Sequence, residues 1–372
     1  MNKKEVLEIR KQFTPENCTI TRICGCYVDH EKEKKMEMKK AFLSMPEEEA
    51  FKYFDIFRHT LSGTVGKNLM TMEFPLDQEL EGGAQELLLR LRDTKLTDDL
   101  LLEEFYDKVI ENYEFAENYY IILIHAAYDV PGKSSDNMEM FDASDTVYEH
   151  IMCSICPVKL TKAGLTYNAE KNNIEDRIRD WFVEMPATGF LFPAFQDRAS
   201  DVHHVLYYSK KPEDLQPDFI ANVLGNITPL TAKDQKTTFQ SLVSDTLGED
   251  CDYDTVRNIH DNLNELMEEA KESPDPLELS RPDVKHLLER SGVPEEKMEH
   301  FDKNFEEAVG EKNTLLASNI ASVKTFQIKT PDIVVKVNPE RSDLVETREI
   351  DGRRCLIIAI DDHLEVNGIE VR

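Results

Sequence analysis

The run Asp197-Arg198-Ala-Ser-Asp201-Val-His203-His204 is the densest group of residues able to do chemistry. Two carboxylates and a histidine can ligate a hard metal ion, or they can serve as general acid and base. Pairing of an aspartate with an arginine where a loop enters a strand accounts for the same residues without chemistry. If residues 202–209 form a strand, His203 and His204 face opposite sides of its sheet. The candidate catalytic residues are therefore Asp197, Arg198, Asp201, His203 and His204, with structural pairing as the favoured alternative.

The cysteines form a second group, since Cys153 and Cys156 have the spacing of half a zinc site or of a redox pair. Cys24 and Cys26 would complete four metal ligands if their strand lies beside that of Cys153. Positions i and i+3 of a strand face opposite sides, so both thiolates converge only if the chain bends at Pro157. Packing as small apolar residues is the favoured interpretation. A divalent metal is the one cofactor that these two groups suggest.

Several familiar sequence motifs for catalysis, phosphate binding and DNA binding are absent or incomplete. The sequence contains no Gly-x-Ser-x-Gly, His-Glu-x-x-His or Gly-x-Gly-x-x-Gly motif. The segment 63–68 has too few residues between its glycines for a phosphate loop, and Asn68 follows the lysine. Residues 287–296 have the spacing of a helix-turn-helix, but the helix that would read DNA is mostly acidic. His125 lies inside an apolar run and is interpreted as a core residue.

Charge and length limit the class of protein. The chain has 372 residues and a formal net charge of −29, which disfavours diffuse binding to nucleic acids. A charged N-terminus without an apolar segment, and no apolar run of about 18 residues, predict a cytoplasmic protein with no membrane span. The seven cysteines are then expected to be reduced thiols. Protein is the favoured partner.

The elements that position these residues indicate an α+β fold. Strands and helices alternate up to residue 230, which predicts a domain with a mixed sheet. Its first strand, Cys18–Asp29, is expected to place Cys18, Ile20, Cys24, Cys26 and Val28 on one face. A charged helix is expected over Glu31–Leu43. The run Tyr119–Tyr128 is typical of a strand buried on both faces.

The remaining chain changes character after Pro229. Four helices are expected between residues 231 and 310, separated by glycine and proline breaks, and they carry many carboxylates. Short strands are expected from residue 325 onward, with the hairpin signal Asp351-Gly352 between two of them. The predicted domains are a mixed α/β domain (1–230), an acidic helical segment (231–318) and a C-terminal β segment (319–372).

Four segments carry a family resemblance, namely residues 20–29 (ITRICGCYVD), 153–159 (CSICPVK), 190–195 (FLFPAF) and 328–341 (IKTPDIVVKVNPER). They resemble the corresponding segments of a bacterial family catalogued as domain of unknown function 4317. The resemblance spans nearly the whole chain and implies a bacterial protein. It implies no activity, cofactor or catalytic residue. The order of acidic helices and a short terminal β segment is also similar to the layout of nucleoid-associated bacterial proteins.

Three functional hypotheses follow. The leading one is a non-catalytic protein that binds another macromolecule, with protein as the favoured partner. The second is a metal-dependent enzyme of unknown reaction that uses Asp197, Asp201, His203 or His204. The third is a nucleoid-associated-like protein that binds nucleic acid through a local basic patch, formed by Arg341, Arg348, Arg353 and Arg354.

Overall fold

A computed structural model of the chain describes residues 1–133, 139–140, 146–248, 251–310, 313–321, 325–360, 363–366 and 368–371. The chain divides into two compact units, Met1–Thr231 and Ala232–Arg372. The division into three domains at residues 230 and 318 remains a prediction. None of the helices in the described residues is both long and apolar enough to cross a membrane.

The first unit contains five α-helices and fourteen strands among the described residues. The helices are α1 (Lys3–Arg10), α2 (Glu47–Thr60), α3 (Ala84–Asp93), α4 (Asp99–Asn112) and α5 (Pro217–Asn222). The strands are β1 (Ile20–Val28), β2 (Lys34–Ala41), β3 (Leu69–Glu73), β4 (Tyr119–Val130), β5 (Gly132–Lys133), β6 (Glu139–Met140), β7 (Thr146–Leu160), β8 (Leu165–Asn168), β9 (Asn173–Asp176), β10 (Trp181–Val183), β11 (Thr188–Phe192), β12 (Ala194–Gln196), β13 (Ala199–Asp201) and β14 (His204–Ser209).

A large sheet organises this unit, in the order β2-β1-β4-β7-β11-β14-β3, with β10 paired to the end of β7. All of its described strand pairs are antiparallel. The predicted α+β class is confirmed, while the expectation of a mixed sheet is wrong. Helices α3, α4 and α5 pack on one face of the sheet and form the first core. Helices α1 and α2 pack on the other face and form the second core.

The central strands β4 and β7 explain why both faces are covered. Residues 119–126 are all buried, as are residues 150–158, so successive side chains enter the two cores alternately. Tyr119, Ile121 and Leu123 lie in the first core. Tyr120 and Ile122 lie in the second core. The prediction of a strand buried on both faces over Tyr119–Tyr128 is confirmed.

Two predictions near the N-terminus are wrong. The expected helix Glu31–Leu43 is instead the edge strand β2, because antiparallel pairing with β1 overrides the helical preference of its lysines and methionines. Lysines at an exposed edge also discourage pairing with other chains. In β1 the register shifts between Ile20 and Arg22, so Ile20 faces the second core whereas Cys24 faces the first. The expected single face from Cys18 to Val28 is therefore divided by a bulge.

The second unit begins with a group of helices. They are α6 (Ala232–Leu247), α7 (Tyr253–Glu269), α8 (Arg281–Arg290), α9 (Phe301–Ala308) and the short α10 (Ala317–Ile320). Their buried side chains include Leu242, Leu263, Leu287 and Phe305. The four helices expected between residues 231 and 310 are confirmed.

The strands of the second unit form pairs. They are β15 (Glu278–Leu279) with β16 (Leu315–Leu316), β17 (Phe326–Lys329) with β18 (Val334–Val337), β19 (Val345–Ile350) with β20 (Arg353–Ile358), and β21 (Leu364–Val366) with β22 (Ile369–Val371). The turn between β19 and β20 has positive φ at both Asp351 and Gly352, as the hairpin signal requires. The hydroxyl of Tyr253 donates a hydrogen bond to the carbonyl of Val345 and fastens β19 to α7.

Candidate functional site

Asp197 and Arg198 occupy the two-residue turn of the hairpin β12–β13, and both have positive φ. The backbone N–H of Asp197 donates to the carboxylate of Glu5 at 2.8 Å. The Arg198 guanidinium pairs with Glu8 at 2.9 Å and donates to the carbonyl of Pro131. Glu5 and Glu8 belong to α1, so these contacts fasten α1 to the hairpin. The sequence favoured a pair between an aspartate and an arginine, whereas in the structure Arg198 pairs with Glu8.

Asp201 ends β13 and holds the start of β14. One carboxylate oxygen accepts the backbone N–H of His203 at 3.0 Å, and the other lies 2.7 Å from Nδ1 of His204. The pair of Asp201 and His204 is about three-quarters buried. Such a contact fixes the orientation of the imidazole ring. This is the one part of the predicted cluster that has the geometry of an acid–base dyad.

His203 turns away from that dyad. It precedes β14 rather than lying in it, and its Nδ1 is 2.7 Å from the carboxylate of Glu79. The hydrogen bond to Glu79 raises the pKa of His203 above its ordinary value. Each histidine is thus bound to a different carboxylate. Among the described residues, the five candidates do not supply three ligand atoms within the reach of one metal ion.

The four cysteines proposed as metal ligands are divided between the two cores. Cys24, Cys26 and Cys153 lie in the first core. Cys156 lies in the second core. The strand β7 continues without a reversal through Pro157, so the alternation of side chains keeps Cys153 and Cys156 on opposite faces. The structure does not bring the four sulfur atoms together.

Burial also makes these thiols poor ligands and nucleophiles. It raises the pKa of Cys24 to about 11 and that of Cys26 to about 12. It raises the pKa values of Cys153 and Cys156 still further above their ordinary value. The thiolate is the form that binds metals and attacks electrophiles, so these side chains serve as apolar packing.

One group of acidic side chains has the spacing of metal ligands in the described residues, and the sequence did not single it out. Asp29, Glu31 and Glu33 lie in the turn between β1 and β2, with their carboxylate oxygens within 4.8 Å of one another. The ammonium group of Lys35 lies 3.0 Å from Asp29 and also pairs with Glu33. Asp29 further accepts the backbone N–H groups of Glu31 and Glu33. The ammonium group of Lys35 therefore balances part of the negative charge of this turn.

Two fully buried histidines lie on neighbouring strands, and only His125 was noticed in the sequence. Nδ1 of His125 is 2.7 Å from the hydroxyl of Thr21, the bulge residue of β1. His150 stacks on the ring of Tyr148, with 4.5 Å between the ring centroids. Among the described residues, the buried Nε2 atom of each histidine has no hydrogen-bond partner. Burial lowers the pKa of His125 to about 4 and that of His150 to about 3, so both are neutral at pH 7.

In the predicted basic patch of the second unit, Arg341, Arg348 and Arg354 each have a carboxylate nearby, while Arg353 stands across the ladder from Ile350. Arg348 pairs with Glu346 at 2.6 Å, and Arg341 lies 3.4 Å from Asp343. Arg354 stands directly across the ladder from Glu349. Charges that are neutralised in this way contribute little to phosphate binding.

A projecting ribbon is the feature that the sequence did not predict. Residues 158–185, called the arm here, leave the large sheet from the end of β7 and return through β10. Between these ends, the N–H of Thr161 donates to Asp180 and the N–H of Arg177 donates to Gly164, which keeps the two strands together. Strands β8 and β9 form the tip hairpin of the arm.

The tip hairpin has one apolar face and one polar face. Tyr167 and Ile174 are cross-strand neighbours, and Leu165 shares their face by alternation. Their exposed fractions are 76% for Leu165, 59% for Tyr167 and 55% for Ile174. The opposite face is polar and carries Thr166, Asn168, Asn173 and Glu175.

The arm is held in shape by its own hydrogen bonds. Oδ1 of Asn168 accepts the backbone N–H groups of Glu170 and Lys171 at the turn. The hydroxyl of Tyr167 donates to Asn172 at 2.7 Å. At the base of the arm Trp181, the only tryptophan in the chain, is 58% exposed. A preformed apolar surface of this kind can bind another surface at little ordering cost.

A family model described as a domain of unknown function, DUF4317, matches residues 1–369. A search of curated proteins finds no match.

Proposed function

The chain belongs to the DUF4317 family, and we propose that it is a non-catalytic protein-binding protein whose binding surface is the apolar face of the arm. The observation that carries this proposal is the exposure of Leu165, Tyr167 and Ile174 on one face of the tip hairpin. Contiguous apolar patches are uncommon on proteins that work alone, and they mark interaction sites.

The physical cost of leaving this face uncovered supports the proposal. A two-stranded hairpin is marginally stable in water without packing on an apolar face. Burying apolar surface yields roughly 25 cal/mol per Å². The arm has more large apolar side chains on its surface outside the tip, namely Ile178, Trp181, Phe182, Val183 and Met185. A partner that covers the apolar face of the arm would stabilise both the arm and the complex.

The contacts of the predicted catalytic residues also favour a binding protein. Asp197 and Arg198 connect the hairpin β12–β13 to α1. Asp201 organises the turn into β14 through the N–H of His203 and the ring of His204. Residues that act as structural connectors explain the density of this cluster without a reaction.

Photo-cross-linking tests the proposal. A benzophenone amino acid replaces Tyr167 on the apolar face of the arm or, as a matched control, Thr166 on the polar face. In cells that express the full chain, we expect position 167 to give discrete cross-linked polypeptides and position 166 to give few. Equal cross-linking at the two positions, or none at position 167, would contradict protein binding through this face.

The metal-dependent enzyme remains the second candidate, because the dyad of Asp201 and His204 has a suitable separation of 2.7 Å. Metal analysis of protein purified without added metal separates the two functions. A stoichiometric metal that is lost in Asp201→Asn favours the enzyme. Protein free of metal, with an unchanged fold in that variant, favours the binding protein.

A further inference from the structure

We propose that the arm binds a second copy of this chain, so that the protein is a homodimer joined through its arms. This inference rests on the proposed function, because it identifies the partner that covers the same apolar face. The evidence for it is the distribution of charge between the arm and the rest of the chain, and the alternation of side chains in the tip hairpin.

The net charge of the chain lies outside the arm. Within residues 158–185 the sequence has five lysines and arginines (Lys159, Lys162, Lys171, Arg177 and Arg179) and five acidic residues (Glu170, Glu175, Asp176, Asp180 and Glu184). The arm is therefore neutral, and the full −29 belongs to the rest of the chain. Two copies repel each other wherever those acidic surfaces meet. Contact between two arms is free of this net repulsion.

The tip hairpin is also complementary to itself. A two-fold axis places the same patch of both copies in contact, so an apolar face meets an apolar face. Leu165, Tyr167 and Ile174 of one arm would interdigitate with the same residues of the other arm, as in packed sheets about 10 Å apart. The polar face with Thr166 and Glu175 would remain in water.

The test is the mass of the purified full chain, measured by sedimentation and light scattering. We expect twice the mass of one chain for the native protein and for Thr166→Glu on the polar face. We expect Tyr167→Glu and Ile174→Glu each to raise the dimer dissociation constant by about 30-fold or more, the effect of removing a central apolar anchor. Added salt should strengthen the native dimer, because it screens repulsion between the acidic surfaces.

Circular dichroism of the variants establishes that each one folds. A native protein that remains monomeric at high concentration would overturn the homodimer. So would a dimer that Tyr167→Glu and Ile174→Glu leave intact while both variants remain folded. If the benzophenone at position 167 then cross-links a different polypeptide, protein binding by the arm stands without the homodimer. If it cross-links nothing, both proposals fail.

Discussion

The two buried histidines predict that the first unit loses stability in mild acid. The pKa of His125 is lowered to about 4 and that of His150 to about 3 by burial, from an ordinary value of 6.5. A lowered pKa means that the unfolded chain takes up protons before the folded chain does. Their contribution to stability is therefore complete above pH 6.5, and it is lost as the pH falls from 6.5 toward 4 for His125 and toward 3 for His150.

The size of the effect follows from these values. Each pKa unit corresponds to about 1.36 kcal/mol. A pH of 5 lies about 1.5 units below the ordinary pKa of a histidine in the unfolded chain. Each buried histidine therefore lowers the free energy of unfolding by about 2 kcal/mol at this pH. The pair together lowers the free energy of unfolding by about 4 kcal/mol between pH 7.5 and pH 5. This is a large share of the roughly 5–15 kcal/mol that stabilises an ordinary domain.

Urea unfolding at pH 7.5 and pH 5 measures this loss in wild type and in His150→Phe. The phenyl ring can keep the stacking on Tyr148, and it removes the buried Nε2, which has no hydrogen-bond partner in the described part of the chain. We expect the variant to lose about 2 kcal/mol less than wild type on acidification. In His203→Gln the loss should instead increase, because the raised pKa of His203 stabilises the protein below pH 6.5. Equal acid sensitivity in His150→Phe and wild type would refute the argument.

Three further outcomes follow from the packing. Gly25→Ala should destabilise the first unit by about 1–3 kcal/mol in urea titrations, because its Cβ would lie 2.6 Å from the buried ring of Tyr120. The control is Gly164→Ala, whose Cβ meets nothing within 4 Å and which should change stability by less than about 1 kcal/mol. Iodoacetamide should label the exposed Cys251 of the native protein, while the buried Cys24, Cys26, Cys153 and Cys156 react only after unfolding. Fast labelling of Cys153 in the native protein, detected by mass spectrometry, would contradict the burial of these thiols. Thr60→Val should destabilise by about 1–3 kcal/mol, because it leaves the buried hydroxyl of Ser154 without its 2.7 Å partner; a stability equal to wild type in calorimetry would contradict this role.

The sequence predicted the elements whose local pattern and tertiary environment agree. Strand β4 is one of these, because its unbroken apolar run is typical of a strand buried on both faces. The C-terminal hairpin at Asp351-Gly352 is another, because positive φ at two successive positions is encoded locally. Strand β2 was missed because its lysines and methionines prefer helices, and only its neighbour β1 makes it extended.

The candidate site was harder to predict for the same reason. The alternation of side chains separated Cys153 from Cys156 correctly, but a bulge at Thr21 altered the face of Ile20. The partner of Arg198 is Glu8, which lies 190 residues away in the sequence and has no local signal. The arm had a weak local signal, since Tyr167 and Ile174 flank an asparagine-rich turn. Exposure of its apolar face is a property of the folded chain alone.

A single tryptophan placed at residue 167 tests the central claim most directly, because Tyr167 lies on the apolar face of the tip hairpin. Trp181 is the only native tryptophan, so the variant Tyr167→Trp with Trp181→Phe has one fluorophore at the proposed contact. We predict that acrylamide quenching of its fluorescence weakens as the protein concentration rises, and that it stays strong at every concentration when Ile174→Glu is added. Quenching that is equally strong in dilute and concentrated protein would contradict an arm that binds a second copy.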